Sequence, residues 1–136
     1  MTAGYSGTPL AKKLGLKEGF KIRLVNQPSY YFDLFTDLPA NFSLSEDLME
    51  KKDFIHYFSL SADELAQDIK ALKDEITSNG LIWISWPKKA SKIVTTVSES
   101  VVRESALKAG LVDVKVCAVD EVWSALKLVI PVNQRK

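Results

Sequence analysis

The chain contains one cysteine, Cys117, and one histidine, His56. No internal disulfide can form, and neither residue has a second thiol or imidazole with which to build a zinc set. Cys117 reads as a small hydrophobe on a strand, and His56 as a hydrogen-bonded residue inside an apolar run. Glycine is missing where a nucleotide cofactor would want it. After the first strand candidate the sequence runs Asn26-Gln27-Pro28-Ser29. It lacks the small residues that let backbone approach a pyrophosphate or S-adenosylmethionine. No Walker-type loop, Gly-x-Ser-x-Gly elbow or carboxylate pair across a cleft can be placed. Residues 1–7 have no charged stretch followed by an apolar run, so no secretory signal is expected. No stretch approaches the roughly 18 apolar residues of a membrane span. The default compartment is the cytoplasm. Neither sign of charge dominates: 18 Lys and Arg stand against 17 Asp and Glu, a net of +1. That balance implies neither a general nucleic-acid coat nor an acidic solvating tail.

What is present suits one globular domain. The 136 residues, 46% of them apolar, can supply a sizeable core. A single domain over residues 8–132 is expected, after a flexible N-terminus (1–7) and before a polar tail (133–136) with a frayed Arg135 and Lys136. Thr8-Pro9 reads as a helix start, a hydroxyl cap followed by proline at the first helical position. Residues 20–25 form a strand candidate, 30–38 one or two helical turns, and 41–45 a short strand. The pattern sharpens after Asp53. Residues 54–60 are nearly continuously apolar, as a strand covered on both faces requires. Ser61-Ala62-Asp63-Glu64 is a capping box, and Leu65, Ile69, Leu72 and Ile76 follow at helical spacing. Asn79-Gly80 would stop that helix in the left-handed region. Residues 81–86 are a second buried-type strand, and 88–95 a loop. Ser98, or Thr96 paired with Glu99, caps a helix ending at Gly110. Residues 112–119 alternate, with Val112, Val114, Val116 and Ala118 on one side. Asp120-Glu121 makes a tight connection to a last strand over residues 123–132.

Strands joined by helices imply right-handed crossovers and a parallel sheet. The link between the last two strands is too short for a crossover, so they lie antiparallel. The fold class is therefore α/β: a Rossmann-like three-layer sandwich, mostly parallel, ending in an antiparallel pair. Over residues 54–132 this order resembles the C-terminal half of class I methyltransferases.

Ligands of such sheets bind beyond the carboxyl ends of the parallel strands, where strand order reverses. That edge would gather Asn26 and Gln27, Ser85, the loop Lys88, Lys89, Ser91 and Lys92, and the start of the last strand with Glu121 and Trp123. Three lysines and two hydroxyls there could hold a phosphate or carboxylate, with help from the following helix N-terminus. The plainer alternative is a solvated basic loop paired with Asp120 and Glu121. Glu99 already complements the helix dipole. Trp86 and Trp123 read first as packing residues.

Residues 6–15, 83–92 (with Ser85-Trp86-Pro87-Lys88-Lys89-Ala90-Ser91-Lys92) and 110–124 resemble a bacterial family of small proteins known only as a domain of unknown function. The resemblance runs nearly end to end and implies a stand-alone bacterial protein. Other members tend to carry a Gly-Ala-Pro type turn after the first strand; Asn26-Gln27-Pro28 keeps the proline without the glycine. It supplies no catalytic residues.

The expectation is a non-catalytic Rossmann-like binding or interaction module, without a cofactor or a working S-adenosylmethionine site. The alternative is an enzyme or sensor for a small anionic metabolite at residues 88–92, with an open pocket between that loop and residues 26–29. A protein partner stays open, as does the oligomeric state. No membrane is expected. Nucleic-acid binding would need Lys12, Lys13, Lys88, Lys89 and Lys92 on one face, and the near-neutral charge argues against it.

Overall fold

The apolar runs near residues 54 and 81 become the two central strands of one sheet. The computed structural model describes residues 7–135. Residues 1–6 of the N-terminal stretch expected to be loose (1–7), and Lys136 of the tail, lie outside the described residues. Among the described residues the strands are β1 (Lys21–Val25), β2 (Ser43–Leu44), β3 (Lys52–Phe58), β4 (Ile76–Pro87), β5 (Val112–Ala118) and β6 (Trp123–Val129). The helices are α1 (Leu10–Leu14), α2 (Ala62–Glu75) and α3 (Glu99–Ala109). Strand order is β2-β1-β3-β4-β6-β5. The first four strands are parallel, and β6 runs antiparallel to both β4 and β5. Order reverses between β1 and β3.

Each central strand is apolar on both faces because each face meets a layer. Ile55, Ile82, Ile84, Leu126 and Leu128 pack under α2 and α3. Ile22, Phe54, Phe58, Trp83 and Ala125 pack under α1 and the segment bearing Tyr31. The three-layer α/β expectation holds.

Several local expectations change. α1 begins at Leu10 with Pro9 as its cap residue. Its free N–H groups at Ala11 and Lys12 donate to the Asp37 carboxylate, at 2.9 and 3.0 Å. The cap comes from a residue distant in sequence, on the segment that follows β1. α2 keeps the expected Ser61 cap, whose Oγ accepts from Glu64 N, while Ala62 N donates to Thr96 Oγ1 at 2.8 Å. Asn79-Gly80 does not end α2. The helix stops at Glu75, and Ile76 enters β4, pairing with Lys52. A Cβ on Gly80 would lie 3.0 Å from the Lys52 carbonyl oxygen, so glycine serves close strand approach there. The stop is set by burial: Glu75 reaches the fully buried Lys52 at 3.0 Å and Arg23 at 2.5 Å.

The alternation in β5 is also broken. Asp113 pairs with Leu128 and Lys115 with Lys127, leaving Val114 in a bulge. Val112 and Val116 therefore face opposite sides of the sheet. Within the tail, Arg135 Nε donates to Ile130 O, and Gln134 Oε1 accepts from Lys73 Nζ.

Candidate functional site

At the reversal of strand order, β1 is followed by Asn26. Its φ of 58° lies in the left-handed region that glycine or asparagine adopts most readily. The turn is kept without glycine, on an exposed asparagine. Its Nδ2 donates to Phe58 O at 3.3 Å, joining the ends of β1 and β3. Gln27 is exposed beside it.

Beneath this turn the chain folds Tyr31 inward, to 1% exposure. Its hydroxyl lies 2.9 Å from His56 Nδ1, and His56 Nε2 lies 2.7 Å from Ser85 Oγ. His56 and Ser85 are fully buried. The His56 ring stacks on Phe58 at 4.3 Å, and Phe58 meets Trp123 edge-on at 5.0 Å. Burial pushes the imidazole pKa down to about 3, so it is neutral at ordinary pH. Burial likewise raises the Tyr31 hydroxyl. Ser85 and Trp123, expected at a ligand edge, are built into this interior chain of contacts.

The expected meeting of residues 120–123 with the lysine loop does occur, through backbone: Lys88 N donates to Val122 O at 2.7 Å. The Asp120 carboxylate accepts from Val122 N and Trp123 N, at 2.8 and 2.7 Å. Tyr30 reaches the same turn, its hydroxyl raised by burial and then by Asp120.

The cleft lies elsewhere than expected. A volume of about 910 Å³ opens between the segment after β4 and the start of α3. Lys88, Lys89 and Lys92 border it, as the lysine-loop reading requires, and Trp86, Pro87 and Val97 give it an apolar floor. No residue of 26–29 is on its wall. Ser91 is also absent from the wall; its Oγ closes its own turn by donating to Lys88 O at 2.6 Å. Glu121 is exposed outside it. Among the described residues neither Lys89 nor Lys92 has an ion pair.

Sequence reasoning missed Thr95, Ser100 and Arg103 on this wall. Thr95 Oγ1 donates to Leu60 O at 2.9 Å, tying the segment after β4 to the β3–α2 loop. Arg103 binds Glu99 at 2.7 Å and also Asp113. Glu99 and Arg103 are spaced as an ordinary surface helix pair, a pattern that carries no sign of a cleft. Among the described residues no group of three His, Cys, Asp or Glu could hold a metal, and no helix is long and apolar enough to cross a membrane.

The family model for DUF3052, proteins of unknown function, matches residues 37–132. The chain belongs to the DUF3052 family. Among curated proteins none matches it in sequence. Its fold is that of the class I methyltransferases. A protein assigned as a type 11 methyltransferase from Sulfolobus solfataricus superposes with a TM-score of 0.61 at 14% identity, covering 93% of this chain and 92% of that one. Precorrin-6y C5,15-methyltransferase from Geobacter metallireducens gives 0.58 at 11%, covering 90% and 86%. Magnesium protoporphyrin IX methyltransferase from Synechocystis gives 0.53 at 12%, covering 90% and 78%. At such identities the likeness concerns the fold alone.

Proposed function

We propose that this DUF3052 protein is a non-catalytic Rossmann-like binding module that takes a small amphipathic anion in the cleft beyond β4. The cleft itself carries the reading. Lysines at its rim can meet a phosphate or carboxylate, and its apolar floor can cover a hydrophobic body, the usual division of labour in a ligand site.

The residues at the strand-order reversal do not fit S-adenosylmethionine. The Asn26 side chain crosses to the Phe58 carbonyl where backbone would have to approach a cofactor. Tyr31 fills the space beneath, held by His56. His56, the natural candidate for a general base, is neutral but buried away from any cleft, so it has no route to a substrate proton.

Phenyl phosphate and benzoate serve as probes in a thermal-shift experiment. At 100 times its dissociation constant a bound probe adds about 2.7 kcal/mol. The stabilisation is expected to vanish in a Lys88→Gln, Lys89→Gln, Lys92→Gln variant. Calorimetry with S-adenosylmethionine is expected to show no specific heat. Saturable binding of that cofactor would overturn the proposal, as would stabilisation by the probes that survives the triple substitution.

A further inference from the structure

A second basic surface lies on the opposite face of the sheet, under α1, away from the cleft at α3. Lys115 on β5 and Lys127 on β6 are directly opposed partners across the antiparallel pair. Side chains so opposed are about 5 Å apart at Cβ, and like charges there are destabilising. Lys17 adds to the repulsion: burial and then the charges of Lys115 and Lys17 hold the Lys127 ammonium below its ordinary range. Lys12 and Lys13 of α1, with Lys115, border a shallow concavity of about 510 Å³ floored by Val116, Cys117 and Ala118. Lys13 Nζ donates to Ala118 O at 3.1 Å, which fixes one cation at the rim. Among the described residues Lys12, Lys17, Lys115 and Lys127 have no ion pair. The Asp37 carboxylate nearby is held by the Ala11 and Lys12 backbone N–H groups.

Five of the chain's 18 basic residues thus gather on one face of a molecule whose net charge is only +1. Mutual repulsion makes this cluster costly in the free protein, and a dense line of negative charge would relieve it. We propose that this face binds the phosphodiester backbone of a nucleic acid without reading its bases. The groups are lysines, point charges suited to phosphate contact, and among the described residues the concavity's wall carries no aromatic ring on which a base could stack. Its hollow shape suits a ridge of phosphates. A flat bilayer would bridge the hollow between Lys12, Lys13 and Lys115 instead of entering it.

The test is fluorescence anisotropy of the intact protein with a labelled DNA duplex and, separately, a labelled single-stranded RNA, across a salt series. Five lysines neutralising phosphates predict an affinity for duplex falling roughly 500-fold between 50 and 200 mM salt, a log–log slope of about −4.5. A Lys115→Gln, Lys127→Gln variant should bind more weakly and lose about 1.8 from that slope. Its melting temperature should not fall, because the change removes repulsion. The triple cleft variant at Lys88, Lys89 and Lys92 should bind like the parent, which separates this proposal from the function proposed above. Stronger binding to the duplex than to the RNA, or the reverse, identifies the source of the backbone. No anisotropy change at 50 mM salt would overturn the proposal. So would an unchanged slope in the Lys115, Lys127 variant, or binding to phosphatidylserine vesicles with none to either nucleic acid.

Discussion

His56 occupies an environment far from what an aqueous imidazole prefers. Both ring nitrogens have partners, Tyr31 and Ser85, and the ring is sealed from water. The folded protein takes up its proton only near pH 3, against about 6.5 in the unfolded chain. Between those values the unfolded state binds the extra proton, so stability falls as pH drops, by about 1.4 kcal/mol per unit at most. Above pH 7 the group contributes no slope. His56 is the only histidine, so a loss between pH 6.5 and 5.5, before the carboxylates titrate, belongs to it. Urea midpoints at pH 7.5, 6.5 and 5.5 are expected to be level and then decline; a flat series would contradict the burial described. The sequence placed His56 in a hydrogen-bonded core position from its apolar neighbours. It did not name Tyr31 or Ser85, because three residues from separate elements meet there only once β1, β3 and β4 are assembled.

At the scale of elements, local capping rules worked where the cap is local and failed where it is not. Ser61 and Ser98 cap α2 and α3 through residues three positions on, and both are legible in sequence. α1 is too short to stand by propensity. It is held by Asp37, contributed by the segment after β1. Asp37→Ala is expected to cost about 1–2 kcal/mol, measured by denaturant unfolding, because it orphans two helix N–H groups at once. Asp37→Asn should recover part of that loss. The β5 bulge was illegible for a related reason. Its valines alternate perfectly, but Lys115 pairs with Lys127 only because the bulge at Val114 resets the register.

For the whole molecule, one sheet serves as the shared wall of two cores. Trp86 packs on the α2–α3 side, and Trp83 and Trp123 on the α1 side. Losing either layer exposes the other through the common strands, so unfolding should be two-state. Tryptophan fluorescence and far-ultraviolet circular dichroism are expected to give coincident urea transitions; separated midpoints would mean that the layers unfold independently. The sequence by itself determined the order of elements, the buried central strands and the closing antiparallel pair, because periodicity, caps and link lengths are local properties. It also marked the lysine loop as a place where charge gathers. Only the tertiary structure decided which side of the sheet that loop opens on, that Tyr31 is buried beneath the turn at the reversal of strand order, and that Lys12, Lys17 and Lys127 share a face. Those facts depend on contacts between residues far apart in the chain, which exist only once both faces of the sheet are covered.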